Sequence, residues 1–123
     1  MTEWDRCAPW IQQALDEQGA DLYRIDDVKE YVEQGEAVFW PGEHSAVVTQ
    51  FHDFPRTRGL NFWLAGADLS ANGKGLAELK KMHDNIRAWG KLNGCTLSYI
   101  VGRPGWAREL GYKPAWTSMS KEL

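Results

Sequence analysis

The sequence predicts an α/β (α+β) domain, a mixed and mainly antiparallel sheet flanked by helices, in the order α-α-β-β-β-α-β-α-β. Three observations carry this reading. Apolar residues recur at helical spacing at the start of the chain and again in its second half. Between them lie three short apolar runs separated by turn residues, the pattern of an antiparallel meander. A long helical stretch then separates the third run from a fourth, a crossover that sets those two strands parallel. With 123 residues the chain has the length of one domain with one core.

Each element has its own signals. Residues 8–18 read as a helix, with Pro9 in the first turn, Trp10, Ile11, Ala14 and Leu15 as the apolar stripe, and Gly19 as the stop. Residues 26–34 read as a second helix, capped by Asp26 or Asp27, with Val28, Tyr31 and Val32 facing inward and Gly35 ending it. Ala37 to Trp40 is a short strand, Pro41-Gly42 a turn with a permissive glycine, and His44 to Phe51 the return strand. The polar stretch 52–59 is a longer turn. Leu60 to Ala65, LNFWLA, is almost wholly apolar and therefore central. A loop spans 66–75. The longest helix follows to Leu92, burying Leu76, Leu79, Met82, Ile86 and Trp89 and ending at Asn93-Gly94. Cys95 to Val101 is a strand, 104–110 a short helix capped by Gly111, and 113–120 a last strand. No repeat, linker or low-complexity stretch divides the chain, so residues 1–123 form one domain.

Composition narrows the function. Hydrophobic residues make up 43% and charged residues 25%, ordinary for a globular domain. The net charge of −3 argues against a broad nucleic-acid footprint, leaving only local clusters at Arg56 and Arg58 and at Lys74, Lys80 and Lys81. Seven tryptophans exceed what so small a core absorbs, so some are expected along a groove or contact surface. Cys7 and Cys95 lack metal spacing and read as small buried thiols. No apolar run reaches membrane-spanning length and no signal pattern opens the chain, so no membrane partner and a cytoplasmic location are expected.

The loop before the long helix carries the chemistry. A strand leading into glycines at a helix start is an anion site, because first-turn N–H groups lack helical partners and the dipole is positive there. The phosphate loop of nucleotide hydrolases does not fit: Asp68 stands where its first glycine belongs and Gly75 where Ser or Thr should follow the lysine. Ser70-Ala71-Asn72-Gly73-Lys74-Gly75 instead resembles the R/Q-x-x-G-x-G/A loop of the GNAT acyltransferases, with both glycines matched and the first position changed. The element order is similar to theirs over most of the chain. The resemblance implies that Ser70, Asn72, Gly73, Lys74 and Gly75 hold the pyrophosphate of acetyl-CoA. It also implies that the pantetheine arm lies between the strand at Leu64 and Ala65 and the strand Cys95 to Val101, which splay apart in that family.

A second match is Gly111-Tyr112, similar to the Gly-Phe pair that ends the family's short helix. The tyrosine that often protonates the departing thiolate there is replaced by Ala107, and the expected asparagine by Ile100. The run Gly102-Arg103-Pro104-Gly105-Trp106 to Tyr112 resembles small GNAT-like proteins of tailed bacteriophages. Direct transfer to an amine needs a base for that amine and a way to polarise the thioester carbonyl. The candidates are Glu43 and His52, with Glu36 and Asp53 beside them, and Tyr99 as an acid. His83 reads as structural, and Arg103 and Arg108 either as surface charge beside one core tryptophan or as contacts for an acidic partner or the 3′-phosphate of CoA. No metal site is expected, since His44, His52 and Asp53 are loosely spaced. Two readings stay open. One is an N-acetyltransferase taking acetyl-CoA and an amine. The other is a degenerate GNAT fold serving as a phage virion-associated structural or protein-binding module, its groove filled by Trp63, Trp106 or Phe62.

Overall fold

The computed structural model describes residues 1–18, 22–100, 110–113 and 121. Helix α1 spans Glu3–Gln18 and α2 spans Ile25–Glu33. Strands β1 (Val38–Pro41), β2 (Ser45–Asp53) and β3 (Arg58–Ala67) form the expected antiparallel meander. Helix α3 (Lys74–Leu92) crosses to β4 (Cys95–Tyr99), which pairs parallel to β3, so the sheet order is β1-β2-β3-β4. The expected helix at 104–110 and strand at 113–120 lie almost wholly outside the described residues.

Helix α1 starts earlier than residue 8. Thr2 Oγ1 accepts the Asp5 N–H at 3.1 Å and Asp5 Oδ2 accepts the Thr2 N–H at 3.2 Å, a reciprocal cap that places Pro9 inside the helix. At α2, Asp27 accepts the backbone N–H of Arg24 at 2.8 Å, and Gly35 ends the helix at φ +77°. Gly42 does not have a positive φ. A Cβ there would lie 2.8 Å from the Glu78 carboxyl carbon, so space, not turn geometry, requires glycine.

The sheet separates two cores. On one face Cys7, Ile11, Ala14, Leu15 and Val28 from the first two helices bury Ala46, Val48 and Leu64. On the other, Leu79 and Ile86 of α3 bury Val47, Leu60 and Phe62. Residues of one parity in β3 reach both faces because the register against β2 slips once. Val48 pairs with Leu64 but Thr49 with Phe62, leaving Trp63 as the extra residue of a bulge. Leu76, expected in the buried stripe of α3, is exposed, and His83 takes a core position at 5% exposure. The five described tryptophans are all half-buried at the margins of these cores.

The His83 ring is tied to the far end of the chain. Its Nε2 lies 2.7 Å from the Tyr112 hydroxyl, which lies 2.8 Å from Ser98 Oγ, and Arg87 donates to that same Oγ at 3.0 Å. Burial lowers the His83 pKa below its ordinary 6.5, with Asp84 pulling the other way. The neutral imidazole therefore fastens Tyr112 to α3 and β4, and Cys7 and Cys95 are both free thiols with burial-raised pKa values.

Candidate functional site

The loop between β3 and α3 turns through two consecutive left-handed residues, Asn72 at φ +54° and Gly73 at φ +79°. Gly73 caps α3, and its Cβ position is open space. The Ala77 N–H returns to Gly73 O at 3.2 Å, which opens the helical ladder and leaves the residues before it at the positive end of a 19-residue dipole. Lys74 is exposed there.

The other loop residues have different duties. Gly75 is buried, and a Cβ on it would lie 2.7 Å from His44 O and 2.9 Å from Ala67 Cβ. Its lack of side chain lets α3 dock on the sheet. Ser70 donates its N–H and hydroxyl to Asp68 Oδ1 at 2.9 and 2.6 Å, which holds the Asp68 carboxyl below its ordinary range. Leu64 turns its side chain into the α1 core and Ala65 packs toward α3, so only their backbones face the strand edge.

That edge is the second part of the site. Pairing between β3 and β4 runs from Arg58–Cys95 to Asn61–Tyr99. Beyond it, Phe62 to Ala67 have no strand partner on that side among the described residues, and their backbone groups are presented as an edge. The side chains nearest this edge are engaged elsewhere. The Phe62 ring lies 4.8 Å from His83 on one face, and Trp63 packs edge-on against Tyr23 and Tyr31 at 5.0 and 5.7 Å on the other.

The candidate proton-transfer groups are divided between the two ends of the sheet. Tyr99 sits where pairing ends, its ring against Gly59 and Phe54, and burial raises its pKa. His52 is on the same face, stacked on Phe54 at 4.4 Å. Asp53 is bound to Arg58 at 2.7 Å. Glu43 lies at the opposite end, exposed in the β1–β2 turn next to the glycine loop. Glu36 borders a shallow cleft of about 420 Å³ beside α2 with Tyr23 and Tyr31. The structure thus brings His52 and Tyr99 to one neighbourhood and separates Glu43 and Glu36 from it.

Glu78 was not singled out from the sequence. Its carboxylate accepts the N–H groups of Glu43 at 3.2 Å and His44 at 3.0 Å and the hydroxyl of buried Ser45. Burial pushes its pKa up, but these donors prevail and hold it below the ordinary 4.5. Arg6 grips the same turn from α1 by donating to the carbonyls of Gly42 and Glu43 at 2.8 and 3.0 Å. The turn beside the loop is thereby fixed from both faces of the sheet.

Comparison with solved structures places this arrangement. An aminoglycoside acetyltransferase from an uncultured soil metagenomic sample, in complex with sisomicin, superposes with a TM-score of 0.68 at 7% identity, over 98% of this chain and 88% of that one. A mutant of the BH1408 protein from Bacillus halodurans gives 0.67 at 13% identity, over 98% and 94%. A possible acetyltransferase from Clostridium difficile 630 gives 0.65 at 12%, over 98% and 91%. No family model and no curated protein matches the chain. At these identities the likeness is one of fold: the chain has a GNAT-like fold, in which the described residues form a four-stranded, mostly antiparallel sheet flanked by helices. No described helix is long and apolar enough to cross a membrane.

Proposed function

We propose that the protein is an acyl-CoA-dependent N-acetyltransferase that passes the acetyl group directly to an amine. The observation that carries this is the adjacency of two features: open, left-handed Gly73 at the start of α3, and the edge Phe62–Ala67 before it, which has no strand partner on its β4 side among the described residues. A pyrophosphate would lie against the loop at Asn72, Gly73 and Lys74, held by the helix dipole, the lysine charge and backbone N–H groups other than that of Lys74, which donates to Ala71 O at 3.0 Å. Gly75 would contribute by letting the helix dock, and Ser70, committed to Asp68, by shaping the turn. The pantetheine arm would run along the edge at Leu64 and Ala65, pairing with backbone groups as an added strand does. Acetyl-CoA supplies the activated acyl group, and this chain's residues position it.

Tyr99 is the group best placed to give a proton to the departing thiolate. Burial raises its pKa, so it stays protonated at neutral pH, and it stands at the closed end of the slot. It would take over the duty implied for the position that Ala107 fills. Glu43 is ill placed for a base, since its carboxylate sits beside the phosphate loop. His52, on the face with Tyr99, is better placed.

Calorimetric titration with acetyl-CoA tests the reading on the wild-type protein and on Gly73→Asp. Micromolar binding that the substitution abolishes is the expected result. No heat at millimolar acetyl-CoA sinks the proposal and leaves a GNAT-shaped scaffold that works through protein partners.

A further inference from the structure

Among the described residues, one buried side-chain oxygen or nitrogen has no hydrogen-bond partner: Oδ1 of Asn61. Buried acceptors are almost always satisfied, so an orphan needs a reason. Its place supplies one. Asn61 and Tyr99 are the last registered pair of β3 and β4 among the described residues. Leu60 and Phe62, on either side of it, face α3, so the Asn61 side chain lies on the opposite face of the sheet. There Gln50 of β2 stands opposite it in register, and Gly59, two residues earlier on β3, lies beneath the Tyr99 ring.

Length arguments say what arrives at this oxygen if the acyltransferase reading holds, on which this inference rests. From Ala67, which touches the start of α3, to Asn61 is six residues of strand, about 20 Å at 3.3 Å each. An extended pantetheine arm of about 13 bonds spans roughly 15 Å at the reach of three backbone bonds per residue. The sulfur therefore stops a residue or two short of Asn61. What lies beyond it at the closed end is the acceptor.

We propose that Asn61 Oδ1 receives an N–H of a primary amine substrate and aims the nitrogen lone pair at the acyl carbon. An amide oxygen is not a base at neutral pH, so Asn61 is a positioning residue and takes no proton. The amine nitrogen forms the new bond to carbon as the carbon–sulfur bond breaks. The electron pair leaves on sulfur, Tyr99 gives that thiolate its proton, and the proton lost by the amine nitrogen returns through solvent to Tyr99.

The test uses Asn61→Leu and Asn61→Asp in the full chain. Acetyl-CoA affinity is measured by calorimetry, and transfer by thiol release with a panel of primary alkyl and aryl amines. Asn61→Leu should bind acetyl-CoA as wild type does and melt no lower, because it removes an unsatisfied oxygen. Its kcat/KM for the amine should fall roughly tenfold through KM, the loss of one neutral hydrogen bond. Asn61→Asp, which keeps the acceptor, should restore the amine KM. If wild-type protein binds no acetyl-CoA, the acyltransferase reading fails and this inference with it. If acetyl-CoA binds but no amine in the panel is acetylated, or the leucine variant keeps its amine KM or melts several degrees lower, Asn61 is not the amine's partner and the acyltransferase reading stands apart.

Discussion

Gly66 and Gly75 bracket the loop at the end of β3, and both have other protein atoms where a Cβ would go. At Gly66 the atoms are the backbone of Trp10, its carbonyl carbon 2.7 Å away. At Gly75 they are His44 O and Ala67 Cβ. Gly73, two residues from Gly75, has nothing within 4 Å and a φ of +79°. The pattern that pairs the two glycines of the loop thus joins two physical demands. Gly75 brings a helix close to a sheet, and Gly73 turns the chain and leaves its surface bare. Only the second is a demand that a ligand can share.

The strongest way to break this contrast is Gly66→Ala. The obstructing atoms are helix backbone, which cannot rotate away, so α1 must lift from β3. A loss of about 3 kcal/mol or more, a fall in Tm of about 10 °C, is expected by thermal unfolding. Gly75→Ala should cost somewhat less, about 2 kcal/mol, because Ala67 Cβ and a turn carbonyl are its obstacles. A variant of Gly66 that melts like wild type would show that α1 does not press on β3.

Much of this architecture is legible in the sequence, and the exceptions have physical causes. Meander, crossover and long helix follow from period and turn residues, which are local signals. Gly35 and Gly94 are recognisable because each ends a helix at positive φ. The bulge at Trp63 is not legible, because the four residues after Asn61, FWLA, include no polar residue to report which face each side chain takes. Leu76 fits the helical stripe by spacing but sits in the first turn, beyond the sheet's cover. Of the candidate site, the loop is visible as glycines, whereas the point at which described pairing on β3 ends is a property of residues 37 or 38 positions apart. Glu78 is hidden for the same reason: its partners, Glu43 to Ser45, are distant in sequence, and a glutamate on a helix ordinarily faces water. Asn61 passes unnoticed as one polar residue in an apolar strand.

Glu78 sharpens the comparison from the polar side, since Gly42 makes room for its carboxylate as Gly66 makes room for α1. Glu78→Ala leaves two turn N–H groups without their acceptor and the hydroxyl of fully buried Ser45 with only the weak acceptor Met82 Sδ at 3.4 Å. A loss of about 2 kcal/mol is expected from charge-assisted bonds of this kind. The pH dependence carries a definite sign. The folded carboxyl titrates below its ordinary 4.5, so the native state binds fewer protons than the unfolded chain in that window. The contribution is complete above pH 4.5 and is lost as pH falls through the folded pKa. Wild type and Glu78→Ala should therefore converge in stability on acidification below pH 4.5. Parallel curves would assign the acid sensitivity to other carboxylates.

The smallest effect expected on stability belongs to Gly73. Gly73→Ala puts a methyl group into open space, so nothing is displaced and the cost is that of a left-handed alanine, about 1 kcal/mol. The Tm should fall by only a few degrees, clearly less than for Gly75→Ala. The same methyl group stands on the bare surface over the start of α3, where a pyrophosphate would approach the backbone. Acetyl-CoA affinity should therefore drop by more than the stability does. Equal melting of the two variants would mean that Gly73 is packed like Gly75, and the loop would then be a joint between strand and helix with no surface set aside for a phosphate.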